Sequence, residues 1–187
     1  MSPLVLHSDT ERDLISGCIS GDRKAQKGLF QMYGATMYAI CLRYAQNKSE
    51  AEDILQEGFV RVFQYIKHFN FEGSFEGWLK KIMINTSLKY NQKHKFCIEY
   101  DTFAVNSMEE YEDPEIIHTL HAEELMSYIR QLPDGYRMVF NLYIIEGFSH
   151  KEIANMLQIE EVTSRSQLLK ARKLLQEKII AHQKLAI

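Results

Sequence analysis

The chain has 187 residues, of which 45% are hydrophobic and 11% aromatic, enough for one ordinary core or for two small ones. No apolar run approaches the roughly 18 residues that span a bilayer, and the N-terminus MSPLVLHSDTERD lacks the basic start and apolar stretch of a signal peptide, so we expect a cytoplasmic protein without membrane insertion. The formal net charge of −3 conceals two mildly basic blocks, residues 1–95 and 135–187 at +3 each, on either side of an acidic segment at −9.

Apolar residues recur three and four positions apart near the start of the chain, which predicts a helix with one buried stripe. The members of this stripe are Phe30, Tyr33, Met37, Ile40 and Tyr44. Ser49 and Glu52 then have the spacing of a capping box, which predicts the start of a second helix. A second buried stripe follows in that helix, formed by Leu55, Phe59, Val62, Ile66 and Phe69.

The stretch NFEGS, residues 70–74, interrupts this pattern with a glycine, and a third helical pattern follows with Phe75, Leu79 and Ile82 facing inward. From residue 95 to residue 114 the periodicity fades while acidic residues gather. We therefore expect a helical domain over residues 1–94 and a flexible acidic linker over residues 95–114.

The last block, residues 115–187, is again helical in pattern. One helix with an apolar face is expected to end at LPDGY, and a second helix is expected from Tyr136 to the glycine at 147. Ser149 and Glu152 form another capping box, which predicts a short helix through Leu157 and then a long helix from Glu160 to about His182. Because no stretch alternates with period two, we predict an all-α fold of two small helical domains.

A short helix, a tight turn and a long helix together predict a helix-turn-helix, whose second helix presents its first turns to the major groove. Ala154 suits the crossing point of the two helices, with Ile153, Leu157, Ile159 and Leu168 as their core. Candidate DNA contacts in the first turns of the long helix are Glu160, Glu161, Thr163, Ser164, Arg165 and Gln167. Arg165 suits guanine and Gln167 suits adenine, whereas Lys170, Arg172 and Lys173 suit phosphates.

Aromatic and basic side chains are mixed around residues 70–74. Base stacking on an aromatic ring contributes about 1–3 kcal/mol, comparable with the cost of holding one base out of a duplex. We expect most of these rings to be buried, Trp78 among them, while the position of Phe71 stays open between core and surface.

The stretches AEDILQEGFVRVFQYI (51–66) and FEGWLKKIMINTSLKYNQK (75–93) resemble region two of the extracytoplasmic-function (ECF) sigma factors of bacterial RNA polymerase. Residues 132–175 resemble region four of the same family. Two motifs in this order, separated by a variable linker, are far more specific than either alone. The resemblance implies a sigma region 2 domain over residues 1–94, a region 4 domain over residues 115–187, and core RNA polymerase and promoter DNA as partners.

The resemblance also assigns roles to residues. Asp53, Gln56 and Glu57 would dock on the clamp of the polymerase, although these residues equally suit the dipole at the start of a helix. The minus-ten element would be captured by Asn70, Phe71, Glu72, Gly73 and Ser74, with Lys80, Lys81 and Lys89 along the backbone. The helix from Glu160 would read the minus-35 element, and an anti-sigma factor is expected as a further partner.

Two departures from the family pattern bear on the last helix. Gln158 stands where the family usually has a turn glycine, which costs about 1 kcal/mol if its backbone is left-handed. The family stretch G-T-V-K-S-R reads V-T-S-R-S-Q here, at residues 162–167, so family promoter preferences do not transfer.

Two other classes of function were weighed. An enzyme with a di-iron site would use Glu115, His118, His121 and Glu124, but the second Glu-x-x-His that such a site needs is missing from the sequence. The three cysteines, Cys18, Cys41 and Cys97, form no C-x-x-C pair, so no zinc site, metal or cofactor is expected. A stand-alone helix-turn-helix regulator, which binds duplex DNA as a dimer without polymerase, is the nearer alternative.

Overall fold

A computed structural model of the chain describes residues 3–94 and 122–185. Those residues form helices and turns with no β-strand, as predicted for an all-α fold. Helix bounds in chain order are α1 Pro3–Ile19, α2 Arg23–Tyr44, α3 Lys48–Tyr65, α4 Phe75–His94, α5 Ala122–Arg130, α6 Asp134–Phe140, α7 His150–Leu157 and α8 Glu161–Leu185. None of these helices is long and apolar enough to cross a membrane.

The chain divides into two compact units, Met1–Asn91 (unit 1) and Gln92–Ile187 (unit 2). Unit 1 contains α1 to α3 and α4 as far as Asn91, and unit 2 contains α5 to α8. The predicted acidic linker, residues 95–114, lies outside the described residues.

Unit 1 depends on close contact between α1 and α2. A Cβ atom added to Gly17 would lie 2.6 Å from the Cβ of Ala25, and one added to Gly28 would lie 2.7 Å from a methyl group of Leu14. Such distances are shorter than van der Waals contact, so only glycine lets the two backbones approach this closely.

The start of α3 differs from the predicted capping box. The N-cap is Asn47, whose side chain accepts a hydrogen bond from the amide of Glu50, and the Glu50 carboxylate accepts one from the amide of Gln46. Ser49 and Glu52 lie inside the helix, so the predicted start was wrong by two residues. Asn47 can do this because asparagine caps a helix as well as serine does, and a carboxylate also lies three residues after it.

The core of unit 1 agrees with the second predicted stripe, since all five of its members are buried: Leu55, Phe59, Val62, Ile66 and Phe69. In the first stripe Phe30 is the exception, because its side chain is 43% exposed and meets Phe59 edge-on, with ring centroids 4.8 Å apart. In α4, Phe75 and Leu79 are buried as predicted, whereas Ile82 is half-buried.

Unit 2 is built on the packing of α5 and α6 against α8. Its core contains Ile129, Leu132, Ala171 and Leu175. The guanidinium of the buried Arg137 donates to the carbonyl oxygens of Arg130 and Leu132, each at 3.2 Å, and to Asp134 at 2.7 Å. These bonds close the turn between α5 and α6 by satisfying carbonyl groups that the end of α5 leaves free.

The helix predicted to start at Tyr136 starts two residues earlier, at Asp134, so Gly135 belongs to α6 and not to the turn before it. A π-helix, Asn141–Ile145, follows α6 directly. Gly147 then ends the element with a φ of +77°, a conformation that glycine adopts without strain.

Candidate nucleic-acid interface

The helix-turn-helix of unit 2 is formed by α7 and α8. The capping box predicted at Ser149 and Glu152 is present with both of its hydrogen bonds, and α7 ends at Leu157 as expected. Gln158 then turns the chain with a φ of 56° and a ψ of 46°. The turn therefore places a residue with a Cβ atom in the left-handed region, at a cost of about 1 kcal/mol.

The crossing of the two helices follows the prediction in part. Ile153, Ala154 and Leu168 are buried between them, whereas Leu157 and Ile159 are half-buried. A small side chain at 154 allows close approach, so the angle between α7 and α8 is set by few, tightly packed residues.

A polar contact also joins the two helices. The Nδ1 atom of His150, at the start of α7, lies 2.9 Å from the hydroxyl oxygen of Ser164 in α8. The imidazole stacks on the ring of Tyr143, with centroids 4.4 Å apart and an interplanar angle of 19°. Burial and the nearby Arg165 lower the pKa of His150, so its ring is neutral at physiological pH.

Two of the predicted DNA contacts face inward. Ser164 is fully buried, and the side chain of Gln167 lies against Gly135, its amide nitrogen 3.1 Å from the position of an added Cβ. Because α8 packs on the rest of unit 2 through this side, neither residue is available to a base edge. We therefore remove Ser164 and Gln167 from the candidate contacts.

The outward side of α8 carries the predicted contact Arg165 together with three residues that were not predicted from the sequence, Val162, Ser166 and Leu169. Val162 is 72% exposed, more than any other large hydrophobic residue in the part of the chain that the structure describes. Arg165, Ser166 and Leu169 follow it three, four and seven positions later, so the four residues share one helix face, which we call the reading face. The sequence contains a signal for this face, because the positions of residues around α8 can be counted from Leu168, which is predicted to be buried.

The other candidates on α8 lie around the reading face. Glu160 is exposed and precedes the helix, and Thr163 is half-buried. The ammonium group of Lys170 lies 5.9 Å from the centre of the Tyr136 ring, whereas Arg172 and Lys173 are exposed. Three cationic side chains are thus spread along α8 next to the reading face, an arrangement that suits the phosphates of a duplex.

In unit 1 the residues 70–74 form an ordered loop. The side chain of Asn70 accepts a hydrogen bond from the amide of Glu72, and the hydroxyl of Ser74 accepts one from the amide of Gly77 in α4. Between them Phe71 and Gly73 have positive φ angles of 61° and 84°. A left-handed phenylalanine is strained, and such strain is most common at functional sites.

This backbone conformation holds the Phe71 ring outside the core. The side chain is 48% exposed and rests on the buried Phe69, with ring centroids 5.1 Å apart. Phe69 in turn packs on Phe75 and Trp78, at centroid distances of 5.0 and 5.6 Å. Trp78 is half-buried, so the cluster is a supported aromatic surface with Phe71 on its solvent side.

Basic side chains of α4 follow the aromatic cluster. Lys81 and Lys89 are exposed, and Lys80 is half-buried. An aromatic surface beside exposed ammonium groups matches the chemistry of a single strand, whose bases stack while its phosphates attract cations.

The acidic residues predicted to face a protein partner lie on α3. Asp53, Gln56 and Glu57 are three and four positions apart and therefore share one face, which we call the acidic face. Asp53 accepts a hydrogen bond from the hydroxyl of Tyr90 at 3.3 Å, and Glu57 pairs with Arg61 at 2.5 Å. Partial burial and the adjacent Asp53 carboxylate raise the pKa of Tyr90.

The residues weighed for metal chemistry do not assemble a site in the described parts of the chain. Glu115, His118 and His121 lie outside those parts, and Glu124 instead contacts the Nε2 atom of His182 at 2.9 Å. Cys18 and Cys41 are buried, and burial raises the pKa of Cys41 to about 12, so its thiol is protonated and unreactive. Cys97 lies outside the described residues.

Comparison with protein families finds two matches. Residues 29–96 match the model of Sigma-70 region 2, and residues 122–175 match that of Sigma-70, region 4. Together the two matches span more than half of the chain, and they contain the 70–74 loop and the helix-turn-helix, respectively.

Curated relatives point the same way, and the chain also has similarity to solved structures. The ECF RNA polymerase sigma factor SigM of Bacillus subtilis is 28% identical over 145 residues, covering 77% of this chain and 88% of that protein. The ECF RNA polymerase sigma-E factor of Escherichia coli is 26% identical over 183 residues, covering 91% and 94%. The sigma factor RpoE from Bartonella quintana, solved in complex with the anti-sigma factor NepR, has a TM-score of 0.48 at 18% identity, covering 83% and 96% of the two chains.

Proposed function

Because the chain belongs to the ECF branch of the sigma-70 family, and so directs core RNA polymerase to specific promoters, we propose that its two units divide the recognition of a promoter between them. Unit 1 acts on the minus-ten element as a single strand, and unit 2 reads the minus-35 element as a duplex. No chemical step is assigned to the chain, which acts in the cytoplasm beside the polymerase.

For unit 1, the supporting observation is the exposed ring of Phe71 on a rigid aromatic base. A flipped base of the minus-ten element stacks on this ring, while Asn70, Glu72, Gly73 and Ser74 shape the loop around it. Stacking contributes about 1–3 kcal/mol, which offsets the cost of unpairing one base. The exposed Lys81 and Lys89, with Lys80 beside them, follow the phosphates of the separated strand.

For unit 2, the reading face of α8 enters the major groove. Arg165 has the geometry to donate to a guanine, and Val162 offers an apolar surface to a thymine methyl group. Thr163 lies at the helix start beside the backbone of the DNA, and Lys170, Arg172 and Lys173 contact phosphates. One such helix binds weakly by itself, since a single module buries only about 600–1,000 Å².

The acidic face of α3 supplies the contact with the polymerase. Asp53, Gln56 and Glu57 meet basic residues of the clamp, and the polymerase then holds both units over one promoter, which raises the effective concentration of each for its element. We also propose an anti-sigma factor as a partner, because family members are controlled by proteins that cover the surfaces facing polymerase and DNA.

The acidic segment has a separate proposed role. Residues 96–134 carry a charge of −9 between two blocks of +3 each, and opposite charges on one chain attract. In the free protein this segment discourages DNA binding by the basic units. Deletion of residues 99–113 should therefore strengthen DNA binding by the free chain, and unchanged binding would refute this role.

The family assignment and the supported Phe71 ring together carry the proposal, and transcription with purified core RNA polymerase tests it. The full chain is added to core enzyme with a library of genomic fragments, and transcript starts are mapped. Specific starts are expected only when both are present. Phe71→Ala should weaken opening of the minus-ten region roughly 5- to 150-fold, whereas Ile19→Ala, at a similarly exposed apolar residue of α1, should leave it intact.

The same materials test the alternative of a stand-alone regulator. Duplex binding is measured with the chain alone at physiological salt, where a single module neutralising a few phosphates is weak. Tight, sequence-specific duplex binding without polymerase, together with no specific transcript in its presence, would overturn the proposal.

A further inference from the structure

Two side chains of the first turns of α8 are joined by an ion pair. The Nη2 atom of Arg165 donates to the Oε1 atom of Glu161 at 2.5 Å, four residues earlier on the helix. The two side chains are 57% and 43% exposed, so the pair lies on the surface next to the reading face and not in the core. Exposed pairs of this kind add little to stability. The more important effect of the pair is the orientation that it gives to the guanidinium of Arg165.

We infer that Glu161 determines the base specificity of Arg165 by holding its guanidinium in position for a guanine edge. This inference rests on the proposed reading of the minus-35 duplex by α8. The guanidinium has more donors than the single carboxylate oxygen occupies, so Nη1 and the second hydrogen of Nη2 are left for the two acceptors of guanine. Glu161 is a positioning residue because it acts through Arg165.

The physical reason is the competition between bases and phosphates for an arginine. A flexible arginine near DNA binds phosphate oxygens, which are present at every sequence and carry no information. A carboxylate beside it attracts the guanidinium and repels the phosphates, so Arg165 stays over the groove. Glu161 thus lowers affinity for DNA in general and raises discrimination between bases, a trade typical of specific interfaces.

The neighbourhood of the pair is consistent with this arrangement. Burial, Arg165 and Arg172 lower the pKa of His150, and Glu161 raises it, so the three charged side chains each act on the imidazole at the start of α7.

The test uses the full chain with core RNA polymerase and a promoter library in which each minus-35 position is randomised. The variants are Glu161→Gln, Arg165→Ala and Glu177→Gln. The last removes one charge from an exposed residue of the same helix, 16 positions after Glu161, without breaking the pair. Transcript yield gives the preference at each position, and binding to a random duplex gives affinity without sequence information.

Glu161→Gln is expected to reduce the preference at one minus-35 position about three- to tenfold, part of the roughly 5- to 150-fold discrimination that one base pair carries. The same variant should bind random duplex about twofold more tightly, because a charge that repels phosphates is gone. Glu177→Gln should keep the preference at every minus-35 position, with at most the same gain in affinity, and Arg165→Ala should lose preference at the same position as Glu161→Gln.

Two results would overturn the inference. In the first, Arg165→Ala removes the preference at a position while Glu161→Gln leaves it intact, which means that Arg165 reads the base without help. In the second, Glu161→Gln and Glu177→Gln behave alike, which means that Glu161 acts only through its negative charge and does not position Arg165. Failure of the proposed function looks different, since Arg165→Ala would then leave the preference at every minus-35 position unchanged.

Discussion

His150 and Ser164 connect the two helices of the helix-turn-helix through a hydrogen bond of 2.9 Å between the imidazole Nδ1 and the hydroxyl oxygen. Ser164 is fully buried, so its hydroxyl would lose a partner if the imidazole were removed. The reading face is held on the same helix as Ser164, so this contact links the orientation of α8 to the protonation state of one histidine.

The stability of unit 2 should fall as the pH drops below about 6.5. Burial and Arg165 lower the pKa of His150 in the folded state, so below its ordinary value the unfolded chain binds more protons than the folded one. Unfolding followed by NMR signals from α7 and α8 between about pH 7.5 and about pH 5 measures this. His150→Asn should flatten this pH dependence.

Two charged groups near His150 refine the experiment. Arg172 also lowers the pKa of His150, whereas Glu161 raises it. Arg172→Gln should weaken the pH dependence, while Glu161→Gln should strengthen it. The exposed His68 of unit 1 provides the control, since His68→Gln should not alter the behaviour of unit 2. An unchanged slope in His150→Asn would contradict the assignment.

Gln158→Gly should stabilise unit 2 by about 1 kcal/mol, because glycine adopts the left-handed conformation of this residue without the clash of a Cβ atom. The same substitution within α8, Gln176→Gly, should destabilise it by about 1 kcal/mol, since glycine is a poor helix former. Urea unfolding of the two variants measures both changes. Equal effects would mean that the turn at Gln158 is not strained.

Gly58→Ala should destabilise unit 1 by about 1–3 kcal/mol, the usual cost of overpacking a core. An added Cβ would overlap the sulfur of Met83, whose side chain is fully buried. Gly34→Ala is the matched control, since its Cβ would lie 3.5 Å from the partly exposed Phe30 ring, at ordinary contact distance.

Gly34→Ala should therefore gain about 0.5–1 kcal/mol from helix propensity. Denaturant unfolding of unit 1, followed by the fluorescence of Trp78, compares the two variants. If Gly58→Ala proved as stable as Gly34→Ala, the contact between α3 and α4 would not be as close as the structure has it.

Two substitutions of Phe71 separate its effect on stability from its effect on promoter opening. Phe71→Gly and Phe71→Ala both remove the stacking ring, so both should weaken promoter opening roughly 5- to 150-fold. Only glycine also relieves the left-handed backbone, and Phe71→Gly should be about 1 kcal/mol more stable than Phe71→Ala. Unfolding and opening of the minus-ten region are measured on the same preparations, and equal stability of the two variants would argue against strain at this residue.

The sequence alone determined the features that depend on neighbouring residues along the chain. The capping box at Ser149 and the short helix after it were predictable, because a helix start or stop is decided by side chains within one turn of it. The two motifs in order also led to the family, which the matches to both regions confirm.

Only the tertiary structure decided which way each helix faces. Ser164 and Gln167 belong to the buried side of α8, and Val162 belongs to the open side. Because α8 carries polar residues on every side, the packing of α5, α6 and α7 decides which of its sides is buried. The same holds for Phe30, left at the surface by its neighbours, and for the Phe71 ring, held outward by its backbone. Periodicity predicts that a helix has an apolar face, but the limits of that face are set by what packs against it.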